Sequence, residues 1–166
     1  MKTNITNLMN LVAEDERKLG MLSSDLITHV YTTTAKELDG KINVIEDFKE
    51  DFETEFNEYN MLLERIAKYK KIIYLKNNEL KLPSGISIQD ALTEVNLLRR
   101  KYIMLERLAE YKNSNRRITE VNNSYFECKE INFNAKKVKE EKEKIQKNIQ
   151  EIEFEISKLN SIEFDV

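Results

Sequence analysis

The residues able to do chemistry are few. His29 is the single histidine, and Asp25 stands one helical turn before it, so this i,i+4 pair could hold one edge of a metal site. A di-iron four-helix site needs two Glu-x-x-His motifs, and zinc needs a cluster of Cys and His ligands. One histidine and one cysteine supply neither. His29 therefore reads as a solvated or core-edge side chain, and no metal or cofactor is expected. Nucleophilic catalysis needs a base beside the nucleophile. Cys128 sits in an apolar-flanked, strand-like segment and reads as an inert packed thiol. The acid pairs Asp47/Asp51 and Glu151/Glu155 fall at helical spacing, which is the grammar of a solvated face and not of a glycosidase dyad. Three scattered glycines cannot build a phosphate loop. No catalytic residue is assigned and the protein is not expected to be an enzyme. A site formed between subunits is the one enzymatic alternative.

One segment interleaves cations with aromatic rings, running from Lys68-Tyr69-Lys70-Lys71 to Tyr74-Leu75-Lys76. Lys68, Lys70, Lys71 and Lys76 form a candidate basic patch that could meet phosphate or an anionic membrane surface, and Arg116-Arg117 could add to it. Against this, Tyr69 and Ile73 already belong to an apolar helix seam, and the chain has a net charge of −3. Nucleic acid is not expected as a partner, and a membrane surface is kept as the lesser possibility.

These residues sit on elements with strong helical periodicity. The first helix is predicted from near Asn4 to Tyr31, with Ile5, Leu8, Val12, Leu19, Leu22, Leu26 and Ile27 on its seam and Asp15 at one core position. Thr32, Thr33 and Thr34 make a break or turn; one continuous helix through Ala35 is the alternative. The second helix is predicted from near Asp39 to near Asn77, about 57 Å at 1.5 Å per residue. Ile45, Phe48, Phe52, Tyr59, Leu62, Ile66, Tyr69 and Ile73 alternate in steps of three and four along it, a seam that wants another helix. Phe48, Phe52 and Phe56 form an aromatic stripe of the kind found in cores. Pro83-Ser84-Gly85 is a turn signal, and Ser87 with Asp90 starts a third helix in the manner of a capping box. That helix carries Ile88, Leu92, Val95, Leu98, Tyr102, Leu105 and Ala109 to about Lys112. Strand formers from Ile118 to Phe133 predict a short strand or hairpin. A last helix from near Asn134 carries Val138, Ile145, Ile149, Ile152, Ile156 and Leu159, with Lys142 at a seam position.

Length and composition agree with this layout. The chain has 166 residues, 40 % of them hydrophobic and 34 % charged, a charge content typical of helices with solvated outer faces. Charge is uneven: net −7 over residues 1–60, +5 over 61–112 and −1 over 113–166. The acidic first third could lie against the basic middle third, within a chain or between chains; the alternative is solvated faces with local i,i+4 pairs. The lone cysteine excludes an internal disulfide and suits a reducing compartment. No apolar run approaches the roughly 18–20 residues of a membrane span, and Met1-Lys2-Thr3-Asn4-Ile5 lacks the apolar core of a signal peptide. A cytoplasmic location is expected.

Three places in residues 60–162 resemble the septicolysin-like family of small bacterial proteins. A long charged helix closes on a polar stop, from Leu63-Glu64-Arg65-Ile66 to Asn77-Asn78. A Gly-containing loop leads into the helix start Ile86-Ser87-Ile88-Gln89-Asp90-Ala91-Leu92, which continues through Arg99-Arg100-Lys101-Tyr102. An extended segment feeds a final helix ending in Ile152, Ile156, Leu159 and Asn160. The family usually places Trp after that Asn, and here the residue is Ser161. The resemblance implies an all-helical hairpin fold of unassigned activity. The family's name suggests a haemolysin, but no residue here reads as a pore-forming or cholesterol-binding element.

The expected fold is mostly α, a coiled-coil-like arrangement of about four helices in antiparallel long-helix hairpins, with a small β-like element near residues 117–131. It is expected as a single elongated domain over 1–166: a long-helix hairpin at 1–78, a loop at 79–87, then a helix, an extended segment and a C-terminal helix over 88–166. The expected function is a self-associating scaffold, adaptor or partner-binding module, with membrane-surface or lipid activity as the alternative. The expected partners are further copies of the chain and possible other proteins. Candidate seam residues for interaction are Leu19, Leu22, Leu26, Ile45, Phe48, Phe52, Tyr59, Leu62, Ile66, Ile145, Ile149, Ile152 and Ile156. Asp15, Glu55 and Lys142, polar at seam positions, are expected to set register and oligomer state at some cost in stability.

Overall fold

A computed structural model describes residues 2–121 and 123–165. In chain order the elements are β1 (Lys2–Thr3), α1 (Ile5–Thr28), β2 (Thr33–Lys36), β3 (Ile42–Glu46), α2 (Lys49–Glu79), α3 (Ile88–Ala109), β4 (Ser114–Thr119), β5 (Ser124–Lys129), α4 (Ala135–Asn160) and β6 (Phe164–Asp165). The fold is mostly α, and its strands pair antiparallel as β1–β6, β2–β3 and β4–β5. The chain divides into two compact units, Met1–Glu79 with Asn160–Val166, and Leu80–Leu159.

In the first unit α1 and α2 pack as an antiparallel pair. Asn4 caps α1, its side-chain oxygen accepting from the Asn7 N–H at 2.8 Å. Ile5, Leu8, Val12 and Asp15 are the buried residues of α1, spaced three and four apart, and Leu62 and Ile66 are those of α2. Beside the helix ends, β1 pairs with β6 in the register Lys2–Asp165 and Thr3–Phe164, and Lys76 Nζ lies 5.1 Å from the centre of the Phe164 ring.

Two helix boundaries differ from the sequence expectation. The first helix stops at Thr28 rather than Tyr31, and the second starts at Lys49 rather than near Asp39. Residues 33–46 form the β2–β3 hairpin instead. Thr33, Thr34, Ile42, Val44 and Ile45 are β-branched, which stiffens χ1 and favours a pleated strand over a helix. Gly40 turns the chain at φ 88°, a conformation that costs a side-chain-bearing residue steric strain. The Asp47 carboxylate then accepts from the Lys49 N–H at 3.1 Å and from Thr32 Oγ1 at 3.1 Å, which launches α2. Ile45 is therefore corrected from a helix-seam position to an exposed strand position. Because Thr33 faces Glu46 while Thr34 faces Val44, Ile45 is the extra residue of a β-bulge.

The second unit follows expectation more closely. Ser87 Oγ accepts from the Asp90 N–H at 3.1 Å and donates to Asp90 Oδ2 at 2.7 Å, so the predicted cap forms. Gly85, at φ 89°, makes the turn before it. Leu105, Val138 and Ile145 form a buried cluster flanked by Leu98, Tyr102, Leu108, Phe133 and Ile149. The predicted β-like element is the β4–β5 hairpin, paired from Ser114–Lys129 to Thr119–Ser124.

The two units repeat each other internally at a constant spacing of 83 residues. Each joins two helices through a β-hairpin, and the second strand of each hairpin ends at the same step, Glu46 and Lys129. The capping residues Asn4 and Ser87 correspond, as do buried Ile5 and Ile88, Val12 and Val95, and Leu62 and Ile145. The interhelical pair Glu16–Lys70 corresponds to Arg99–Glu153 with its charges exchanged. Asn77 and Asn160 stand at the same spacing, although both belong to the first unit, and each has a buried Oδ1 without a hydrogen-bond partner among the described residues.

Candidate interaction surfaces

The three polar seam residues each find a partner within their own unit, on the neighbouring helix or, for Glu55, on its C-cap residue. Asp15 is the most enclosed, its side chain 5 % exposed. Arg65 forks onto it, Nε donating to Oδ2 at 2.7 Å and Nη2 to Oδ1 at 2.6 Å. The guanidinium hydrogen bonds hold the Asp15 carboxyl below the ordinary carboxylate value, against the opposing effect of burial, and the carboxylate raises Arg65 in return. Glu55 bonds His29 Nδ1 at 2.9 Å and 3.0 Å, with the imidazole stacked on Phe48 at 4.6 Å between centroids. His29 is half-buried, and Asp25 meets it through the backbone, the Asp25 carbonyl accepting the His29 N–H at 2.9 Å. Lys142 Nζ stands 3.6 Å from Glu106 and 5.4 Å from the Tyr102 ring centre. Among the described residues no group of three or more His, Cys, Asp or Glu side chains is placed to hold a metal ion.

Of the candidate seam residues, Leu62, Ile66, Ile145 and Ile156 are buried. Leu19, Leu22, Leu26, Phe48, Phe52, Tyr59, Ile149 and Ile152 are half-buried, and Phe52 stacks on Phe56 at 6.0 Å. Only Ile45 is exposed. The basic patch is partly neutralised within its own unit: Lys70 pairs with Glu16 at 2.6 Å and Lys76 with Glu79 at 2.7 Å, while Lys68 and Lys71 are exposed. Among the described residues no helix is long and apolar enough to cross a membrane.

Both hairpins carry exposed apolar side chains. From residue 30 to 47 only Ala35 and Asn43 are even half-buried, so no helix covers either face of β2–β3. Val30, Tyr31, Leu38, Ile42, Val44 and Ile45 are all exposed there. On β4–β5, Val121, Tyr125 and Phe126 are exposed, and Val121 and Leu38 are fully solvated at corresponding hairpin tips. Cys128, expected as a packed thiol, is an exposed free thiol for the same reason: its strand has no layer against it. Strand-forming residues signalled β4–β5, but periodicity carries no information on whether a strand's faces are covered.

No curated protein matches the chain. A solved structure does: the crystal structure of a functionally unknown conserved protein from Corynebacterium diphtheriae, at 16 % identity and a TM-score of 0.69, covering 99 % of this chain and 100 % of that one. That likeness is one of fold. A family model matches residues 41–163, and so the chain belongs to a family of unknown function, DUF6847.

Proposed function

We propose that the protein is a non-enzymatic, self-associating helical module, acting as a scaffold or adaptor, and that its kinship extends to the septicolysin-like proteins it resembles over residues 60–162. One observation carries the reading. Among the described residues, 24 large apolar side chains are exposed against 13 buried hydrophobic ones. Scattered exposed apolar residues are ordinary, but contiguous ones on an uncovered element are the mark of an interaction surface. Burying them at about 25 cal/mol per Å² is the available driving force for association.

The polar seam residues support the same reading. Asp15, Glu55 and Lys142 are matched inside their own units, which leaves the exposed apolar residues, rather than these charges, to meet another chain. Light scattering coupled to size-exclusion chromatography across a concentration series tests the proposal. A mass above 19.7 kDa that grows or persists with concentration is expected. A monomer at every concentration overturns it. Lipid-surface activity is the competing outcome, and it requires salt-dependent pelleting with anionic vesicles.

A further inference from the structure

The end of α3 and the segment leading from β5 into α4 line a hollow of about 560 Å³ at the base of the β4–β5 hairpin. Its apolar lining is Leu108, Tyr111, Ile131 and Phe133, and its cations are Lys112 and Lys129. Leu108 and Phe133 pack against the Leu105–Val138–Ile145 cluster, so the floor of the hollow is anchored to the core. The walls are tied together. The Ile131 N–H donates to Asn113 Oδ1 at 2.9 Å, and Ser114 pairs with Lys129 at the first rung of the hairpin. A preformed hollow of several hundred Å³, with apolar walls and a few polar groups, is the usual form of a small-molecule site.

The internal repeat shows what is particular to this corner. At the spacing of 83 residues, Lys112 corresponds to His29 and Ile131 to Phe48. In the first unit those two rings stack at 4.6 Å, and His29 Nδ1 bonds Glu55. In the second unit Val138 stands in place of Glu55 and is buried in the core. The flanking charges differ as well: Glu46, Glu50 and Asp25 correspond to Lys129, Phe133 and Leu108. Where the first unit has a pair of stacked rings among carboxylates, the second has apolar walls and two lysines. Lys129 meets Glu127 at 3.2 Å, and Glu130 is the one carboxylate in the lining. Lys112 has no ion-pair partner among the described residues. It is the cation left to meet a ligand.

We infer that this hollow binds a small amphipathic anion, a molecule with an apolar chain or ring and a single carboxylate. The apolar part lies on Leu108, Ile131 and Phe133, with Tyr111 at the rim, and the carboxylate meets the Lys112 ammonium. Burial of the apolar part supplies affinity, and the charge-assisted hydrogen bond fixes orientation. A compact polyanion such as phosphate would leave the apolar floor bare and stand its extra charge beside Glu130, so the chemistry selects one charge and an apolar body. The site belongs to the second unit alone and does not depend on self-association.

The test titrates decanoate, kept below the concentration at which it forms micelles, into the full chain and follows backbone amide shifts by NMR. Decanol, with the same chain and no charge, is the control. Saturable shifts are expected at Leu108, Tyr111, Ser114 and Ile131 to Phe133. Decanoate is expected to bind at least about tenfold tighter than decanol, and Lys112→Glu to remove that preference. Ile131→Ser and Tyr111→Ala are each expected to weaken both ligands. Far-UV circular dichroism checks that the helices persist; if Ile131→Ser loses them, Tyr111→Ala, at an exposed rim position, carries the apolar arm. Absence of saturable shifts at these residues, shifts scattered over both units, or an affinity indifferent to Lys112→Glu overturns the inference. A response to anionic vesicles with none to free decanoate also overturns it and points to a membrane surface instead.

Discussion

Arg65→Ala is the most informative single change in the first unit. It removes both arms of the fork and leaves the Asp15 carboxylate where it is, its side chain 5 % exposed. Breaking one side of a buried pair costs about 3–5 kcal/mol. Arg65 is itself 47 % exposed, so water can reach part of the vacated space, and a loss of about 2–3 kcal/mol is expected. Urea unfolding followed by circular dichroism at pH 7 measures it. The pH dependence has a definite sign. Asp15 is held below 3.8 in the fold, so its contribution is present above that value and is lost as the pH falls through the lower folded value. In Arg65→Ala burial acts on Asp15 unopposed by the fork, so the gap between variant and wild type narrows as the medium is acidified. The second unit supplies a rescue: it carries Leu98 and Asn148 at the positions that correspond to Asp15 and Arg65. Asp15→Leu with Arg65→Asn is expected within about 1 kcal/mol of wild type, because an apolar replacement leaves no buried charge unpaired. A cost for Arg65→Ala under about 0.5 kcal/mol at pH 7, or a gap that widens in acid, would refute the reasoning.

Ile145→Ala, in the Leu105–Val138 cluster, is expected to cost about 2–4 kcal/mol in the same unfolding assay. Ser87→Ala removes the α3 cap and is expected to cost about 1 kcal/mol, read as a fall in Tm of roughly 2–4 °C. Gly85→Ala meets nothing within 4 Å, so its cost is conformational only, about 1–2 kcal/mol from the positive φ. Lys142→Leu loses a pairing with Glu106 and gains apolar contact beside Tyr102. Its stability is expected within about 1 kcal/mol of wild type, with the assembly's mass unchanged; a changed mass would show that Lys142 sets oligomer state.

Four helices and their seams were legible because a repeat of three and four residues is carried by many side chains at once: Ile5, Leu8 and Val12 in α1, or Leu62 and Ile66 in α2, each confirm the other. The Ser87–Asp90 cap was legible because its chemistry is local. The β2–β3 hairpin was missed because Ile45 and Phe48 continue the phase of the α2 seam backwards by accident. The competing signals are Thr32 to Thr34, read as a break between helices, and Asp39-Gly40, a turn pair that falls at the expected helix start. The Asp15–Arg65 and His29–Glu55 pairs lie 50 and 26 residues apart, and spacing within one helix could not find them. The internal repeat left a faint trace in Ile5/Ile88, Arg17-Lys18/Arg100-Lys101, Met21-Leu22/Met104-Leu105 and Asn77/Asn160, thin enough that register became visible only once the hairpins aligned.

The pairing of β1 with β6 bears on how the chain acquires its structure while it is being made. The second unit is one continuous stretch, Leu80–Leu159, so it holds every residue it needs soon after α4 emerges. The first unit draws on residues from both ends: Lys2 and Thr3 wait for Asp165 and Phe164, and Thr6 for the Asn160 carbonyl. At about 5–20 residues per second, synthesis of the intervening segment takes on the order of ten seconds. The helical pair α1–α2 can form during that interval, but its end strand cannot be sealed until translation has passed residue 165. Synthesis order and completion order therefore run opposite to each other: the unit translated first is the last to be finished.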